Sequence, residues 1–241
     1  MMPMRLLDLT LPTPAENLAL DEALLLAAEE VDAGELLRLW ELPTRAVIVG
    51  SGGSVEIDVN IAACEAASIP ILRRASGGGT VLLGPGCLCF SLVIACNRQA
   101  GLNEIPASNR YVLGRILRAL RAIVPDAVVE GTSDLAVNGR KFSGNAQQRK
   151  RRHFLHHGTL LCGCDLGLVP KYLNAPERQP EYRRDRSHTE FVMNLPATVA
   201  EVKRLLVEEW QPDGAYDPVP DDVVQRLVEE KYSREEWNRR R

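Results

Sequence analysis

No run of apolar residues in this 241-residue chain is long enough to span a bilayer. Its start, MMPMRLLDLTLPTP, lacks the apolar core and small-residue cleavage site of a secretion signal. Charge of one sign is not in surplus either. The chain has 29 lysines and arginines against 32 aspartates and glutamates, a formal charge of −3, so no overall basic excess would drive binding to nucleic acid or to a membrane. Six cysteines, most of them inside apolar segments, do not make a disulfide framework. Internal repeats and low-complexity blocks are missing. So are the Gly-Lys-Ser/Thr of a P-loop and the GxGxxG of dinucleotide folds. Neither Cys87-x-Cys89 nor Cys162-x-Cys164 has zinc-finger spacing. What remains is ordinary for a globular protein, 45% hydrophobic and 25% charged. The expectation is a soluble protein of a reducing compartment, cytoplasmic, with neither nucleic acid nor membrane as partner.

Local signals divide the chain into mixed elements. Thr13, Pro14 and Glu16 form the start of a capping-box helix, with Leu18, Leu25 and Leu26 near one face and Gly34 as its stop. Strand-like runs follow at Leu36 to Trp40, Ala46 to Val49, Pro70 to Arg74 and Leu88 to Cys96, and Asn60 caps a short helix between them. Leu113, Leu117, Leu120 and Val124 step at helical spacing, which predicts a helix from near Ser108 to Pro125. Val128 to Glu130, Asp134 to Val137, Arg140 onward and Leu155 to Leu161 read as a meander, with Asn138-Gly139 as a tight hairpin turn. Gln147 to His153 reads as a further turn, Asp165 to Asn174 as a short helix, and residues 175–190 as a long polar loop. Thr198 with Glu201 opens a helix to Trp210, and Asp221 caps the last, ending near Tyr232. Without strict βαβ alternation, a mixed or antiparallel sheet flanked by helices is expected.

Three segments carry chemistry. In Arg73-Arg74-Ala75-Ser76-Gly77-Gly78-Gly79-Thr80-Val81, three glycines allow backbone N–H groups to face an anion, and Arg74 can add a charge-assisted bond to phosphate or carboxylate. The alternative is a flexible turn or β-bulge. In the strand leaving the hairpin, Lys141 and Ser143 should share one face and Phe142 the other. An ammonium there, flanked by Gly144 and Ala146, can stabilise charge that builds during acyl transfer; the alternative is a plain exposed strand lysine. His156 and His157, adjacent on a strand, point to opposite faces and cannot readily share a metal. Arg149 to Arg152 form a positive patch, either a solvated turn or a docking surface for an acidic protein.

Taken in order, these pieces resemble the lipoate–protein ligase family, within the wider biotin/lipoate ligase catalytic domain. Asn17-Leu18-Ala19-Leu20-Asp21-Glu22 looks like the family's first-helix motif, and Trp40 with Val47 to Gly50 like its early strands. RRASGGGTVLLGPGCLCFSL, SDLAVNGRKFSGNA and HHGTLL look like its ligand loop, lysine strand and partner strand. Tyr172-Leu173-Asn174, Asn194-Leu195, Glu230-Lys231-Tyr232 and Trp237-Asn238 are similar to later family signatures. The resemblance implies an α+β fold of the class II aminoacyl-tRNA synthetase/biotin synthetase type, with mixed β-sheets flanked by helices. It implies one catalytic domain over residues 1–241, without the family's C-terminal accessory domain.

The implied reaction uses ATP to turn lipoate into lipoyl-AMP, then passes the acyl group to a lysine of a lipoyl domain of a 2-oxoacid dehydrogenase or of the glycine-cleavage H protein. By motif, Arg74, Ser76, Gly77, Gly78, Gly79, Thr80, Val81 and Leu82 would line the acid and phosphate site, with Ser143 and Gly144 beside the lysine strand. Asp134 is expected near the nucleotide and Mg2+, Lys141 would hold the carboxylate and α-phosphate, and Ala146 and His157 would complete the pocket. Leu72 and Val81 would touch the acyl chain. Leu83 stands where the family usually has His or Gln, and Ser133 replaces a frequent Asn. An accessory ligase subunit is a possible partner. The rival functions are an octanoyl- or lipoyl-transferase and a non-catalytic lipoate-binding module. A transferase needs a cysteine nucleophile. Here Glu130 to Asp134 hold no cysteine and no Pro-Cys-Gly occurs, which leaves only Cys162 and Cys164.

Overall fold

The computed structural model describes residues 3–31, 33–177 and 179–240; Arg178, within the stretch read as a polar loop, lies outside them. The strands are β1 (Met4–Asp8), β2 (Glu35–Trp40), β3 (Ala46–Val49), β4 (Ile71–Arg73), β5 (Val81–Leu83), β6 (Cys87–Ala95), β7 (Val128–Glu130), β8 (Asp134–Val137), β9 (Arg140–Ser143), β10 (Asn145–Arg149) and β11 (His153–Leu161). The helices are α1 (Pro14–Val31), α2 (Val55–Asp58), α3 (Ile61–Ala66), α4 (Ile105–Ala119), α5 (Val169–Tyr172), α6 (His188–Phe191), α7 (Val199–Trp210), α8 (Asp221–Leu227) and α9 (Glu235–Asn238).

One sheet, ordered β1-β2-β6-β11-β10, is antiparallel except for the β1–β2 pair. Two three-stranded sheets, β4-β3-β5 and β7-β8-β9, flank it. This is the mixed-sheet α+β architecture expected from the sequence. The large sheet separates two apolar layers. On one side Leu92, Ile94 and Phe154 meet α4 and α7 through Leu113, Ile116, Val202 and Leu206. On the other, Leu36, Val93 and Leu155 meet α1 and α8.

The Thr13 capping box forms as expected: its backbone N–H donates to Glu16 Oε2 at 2.7 Å, and Glu16 N–H donates back to Thr13 Oγ1 at 3.2 Å. Beyond that cap α1 departs from an amphipathic stripe. Every residue from Asn17 to Leu25 is buried, including Asn17, Asp21 and Glu22, so the helix is a central core element that carries polar groups inward.

Elsewhere the structure corrects the sequence expectations. β1 was not foreseen. α4 starts three residues before Ser108, because Pro106 suits the first turn, and Ser108 lies buried inside it. Residues 147–149 belong to edge strand β10 and only 150–152 turn, since pairing with β11 outweighs local polarity. The polar stretch 175–190 holds a short helical turn at Glu181–Arg183 and the start of α6. Asp221 is the first helical residue and makes no side-chain cap, and a further helix, α9, follows Tyr232.

Candidate active site

A cavity of about 440 Å³ opens where α1, the face of β2-β6-β11-β10, the glycine loop and the β8–β9 hairpin meet. Strand register builds its floor. Arg38 pairs with Ser91, Ser91 with His157, and His157 with Ala146, which sets one row across four strands. Trp40, Cys89 and Thr159 form the adjacent row. Neighbours across β2, β6 and β11 are therefore about 50 to 70 residues apart in sequence. Leu18, Ile48, Val81, Leu83 and Phe90 add an apolar wall. The indole N–H of Trp40 and the amide oxygen of Asn145, both buried at this wall, have no hydrogen-bond partner among the described residues, which is unusual for buried polar atoms.

The glycine loop is shaped by Arg74. Its guanidinium donates to the carbonyls of Gly77 (2.6 Å) and Gly79 (2.8 Å) and to Ser76 Oγ (3.1 Å). Burial pushes its pKa down to about 10, so it stays charged at neutral pH, yet no carboxylate lies within ion-pair distance among the described residues. A buried cation without a counter-charge favours an anion beside the loop. Gly78 adopts φ +88°, which glycine tolerates, and a side chain there would press on Arg74 at 2.9 Å. At Gly50 a side chain would overlap the Gly78 carbonyl, so the two chain segments touch backbone to backbone.

Opposite the loop, Lys141 Nζ sits 2.7 Å from Asp134 Oδ1, while Tyr182 Oη donates to Asp134 Oδ2 at 2.8 Å. Burial, with the Asp134 charge second, drives the Tyr182 phenol upward and keeps it a donor. The lysine lies over Gly144, where an added Cβ would stand 2.9 Å from Nζ.

A buried chain of polar groups ties the two sides of the cavity to α1. His157 Nε2 is 2.5 Å from Ser76 Oγ, and its Nδ1 is 3.4 Å from Asp21 Oδ2. Asp21 also accepts from Ser91 Oγ (2.8 Å) and pairs with Arg38 at 2.6 Å. Burial alone would raise the Asp21 carboxyl, but Arg38, His157 and Ser91 together hold it below its ordinary value. The run Asn17 to Glu22 thus owes its polar residues to this core: Asn17 Oδ1 accepts from Arg38 at 2.6 Å, and Glu22 accepts from Tyr232 at 2.6 Å.

Of the residues singled out from sequence, Arg74, Gly78, Gly79, Thr80, Val81, Asp134, Lys141, Gly144, Ala146 and His157 line this one cavity. Ser76 stands behind it as the partner of His157 and Arg74, and Gly77 lends its carbonyl to Arg74. Leu82 faces away, since Val81 and Leu83 alternate with it and Leu82 packs on the β3–β4 cluster. Leu72 is buried in the core beyond the wall. Ser143 is a correction. A register shift between Leu135 and Ala136 aligns Ser143 with Leu135 and Lys141 with Ala136, so a bulge separates the two side chains that simple alternation would put together. Ser143 is buried and accepts from Asn145.

The basic patch also changes. Arg149 is tied to Leu102, Ser108 and Gln147 and lies over the Phe154 ring; Lys150, Arg151 and Arg152 are exposed, Arg152 while tied to Glu29. His156 and His157 do face opposite ways. His156 is fully buried, stacks on Phe90 at 6.3 Å, and burial pushes its pKa down to about 3. Among the lining residues missed were Asp21, Ser91, Thr132, Asn145, Thr159, Gln179 and Pro180, supplied by the buried first helix, by strand register and by loops no periodicity marks. Among the described residues no helix is long and apolar enough to cross a membrane.

Comparison with known proteins agrees with this geometry. The family described as lipoyl protein ligase A/B catalytic domain matches residues 13–213. A relative from Aeropyrum pernix, assigned as a lipoate-protein ligase A, is 33% identical over 200 residues, covering 83% of this chain and 71% of that protein. One from Mycoplasma genitalium, assigned likewise, is 30% identical over 182 residues, 76% of this chain; the match spans only 53% of that protein's length. A solved structure from Thermoplasma acidophilum, described as a bi-partite lipoate protein ligase with its E2 lipoyl domain, superposes with a TM-score of 0.84 at 26% identity, covering 99% of this chain and 97% of its own. With the matched segment carrying both the glycine loop and the lysine strand, this chain belongs to the lipoyl protein ligase A/B catalytic domain family.

Proposed function

We propose that the chain is the catalytic part of an ATP-dependent lipoate–protein ligase. In the first step a lipoate carboxylate oxygen attacks the α-phosphorus of ATP, the bond to pyrophosphate breaks, and lipoyl-AMP forms. In the second, the amine of an acceptor lysine attacks the acyl carbon, AMP departs, and the amine gives up a proton. The observation that carries this reading is the pair of cationic groups facing one cavity: Lys141 beside Asp134, and the buried Arg74 that lacks a carboxylate partner among the described residues. Both steps gather negative charge near the acyl and phosphoryl oxygens, where fixed cations and backbone N–H groups act most strongly. In this proposal Lys141 bridges the carboxylate and α-phosphate, the glycine loop holds the anion, and the apolar wall takes the acyl chain.

Mg2+ is part of the same proposal. Among the described residues no cluster of three metal-ligating side chains exists, and Asp134 is the carboxylate at the cavity within reach of the Lys141 ammonium. That suits an ion held mainly by nucleotide phosphates and water, with one carboxylate from the protein, and such an ion would neutralise triphosphate charge. The acceptor is proposed to be a lipoyl domain, and a separate accessory subunit is proposed as partner, both in line with the description of the Thermoplasma protein.

A cysteine-dependent transferase has less support. Burial drives the Cys162 thiol up to about 12, and contact with Cys87, then burial, drive Cys164 upward too, away from the thiolate a nucleophile needs. The test combines protein, ATP, Mg2+, lipoate and an apo lipoyl domain, with and without an accessory subunit. Pyrophosphate release with lipoylated acceptor is expected. Acyl transfer only from an acyl carrier protein, or lipoate binding without turnover, would overturn the proposal.

A further inference from the structure

The tandem arginines that open the ligand loop work in opposite directions. Arg74 turns inward to shape the glycines. Arg73, fully buried, turns away and gives its guanidinium donors to five backbone carbonyls. Two belong to Gly50 (2.9 Å) and Gly53 (2.7 Å), in the loop that touches Gly78. Three belong to the chain's last described residues, Trp237 (3.1 Å), Asn238 (3.3 Å) and Arg240 (2.6 Å).

The same segment grips the Arg73 backbone. Asn238 Oδ1 accepts from Arg73 N–H at 2.9 Å, and Trp237 Nε1 donates to the Arg73 carbonyl at 2.8 Å. Tyr232 Oη donates to Glu22 at 2.6 Å, and Arg240 reaches the Ser51 carbonyl at 3.1 Å. Trp237 itself is held between the Lys231 ammonium and the Arg240 guanidinium, 4.3 and 3.8 Å from its ring. These contacts converge on Arg73, three residues before Ser76 and the glycines, and on the 50–53 loop that touches Gly78.

We propose that residues 231–240 form a brace that sets the position of the glycine loop, with Trp237 and Asn238 as positioning residues for the acid and nucleotide site. Neither side chain is among those lining the cavity, so each acts through Arg73 and the loop. A merely structural role would lower stability alone. A positioning role loosens the loop and weakens ligand binding, because misplaced donors lose the anion before the fold is lost. The proposal rests on the ligase reading for its choice of ligands.

The test uses the full chain with Trp237→Phe, which keeps an aromatic ring of smaller size and removes the N–H donor, and Asn238→Ala, which removes the side-chain acceptor of the Arg73 N–H. Val202→Ala, buried on α7 against the opposite layer, serves as the control for general destabilisation. Amide hydrogen exchange over residues 73–80 is expected to rise about tenfold in both brace variants and to stay as wild type in Val202→Ala. Lipoate and ATP KM should rise about tenfold with kcat within threefold, again in the brace variants only. Unchanged exchange and KM in both brace variants would overturn the proposal, as would equal effects in Val202→Ala. Should the wild type bind neither lipoate nor ATP while the exchange difference persists, the ligase reading fails and the brace stands.

Discussion

Substituting Gly144 by alanine tests whether the exact seat of Lys141 matters. A Cβ at 144 would lie 2.9 Å from Lys141 Nζ and 3.0 Å from Cε. Ordinary contact needs roughly 3.5 Å, so the ammonium must retreat by about half an ångström. The displaced atoms are the free end of a flexible side chain, and the Lys141–Asp134 pair is partly exposed, 27% and 16% for the two side chains. Loosening such a pair costs less than about 1 kcal/mol of stability. Rate is more sensitive, since a misplacement of about 1 Å can cost about a hundredfold. Gly144→Ala is therefore expected to slow single-turnover formation of lipoyl-AMP about ten- to a hundredfold, followed by rapid quench and mass spectrometry, while denaturant unfolding shifts by less than about 1 kcal/mol. A wild-type rate in a variant that folds normally would refute the role given to the lysine's position over residue 144.

Other outcomes follow from the same geometry. Asp21→Asn leaves the Arg38 guanidinium buried without its counter-charge and should cost about 3–5 kcal/mol in unfolding experiments. Because the Asp21 pKa is depressed in the folded state, its stabilisation is whole above the ordinary 3.8 and lost as pH falls toward the folded value; the Asn variant should lack that acid-side loss. His156 adds a loss of the same sign: the unfolded chain takes a proton below 6.5 and the folded chain only near 3, so stability should fall by up to about 1.4 kcal/mol per pH unit as pH drops through that window. His156→Phe should flatten this slope and keep neutral-pH stability, since neither ring nitrogen has a partner among the described residues; an unchanged slope would show that another group is responsible. Lys150→Glu with Arg151→Glu should slow acceptor modification several-fold at low salt and converge with wild type at high salt, whereas Arg149→Ala should mainly lower stability; a salt-independent wild-type rate would dismiss steering by this turn.

Much of the architecture was legible because local chemistry and tertiary structure agree. Asn138 and Gly139 both take positive φ in the hairpin turn, Thr198 and Glu201 cap α7, and Asn60 caps α3. The glycine loop and the lysine strand stood out for the same reason, as residues with no comparably simple structural use. What escaped was non-local. Strand β1 owes its existence to pairing with β2 rather than to its own pattern, and β10 to pairing with β11. The Ser143 error came from a single bulge, which alternation cannot foresee. Nor could α1 be read as a buried helix from spacing: its polar positions look solvent-facing until Arg38, His157 and Tyr232 are seen to meet them. The different tasks of Arg73 and Arg74 are likewise invisible until the C-terminal segment is seen beneath the loop.

The central claim is that this cavity activates a carboxylic acid at phosphorus through Lys141. The most direct measurement is lipoate-dependent exchange of labelled pyrophosphate into ATP, without any acceptor protein, comparing wild type with Lys141→Ala. Exchange by the wild type, reduced at least a hundredfold in a variant of unchanged stability, is the expected result. Exchange that persists at the wild-type rate without Lys141 would contradict it.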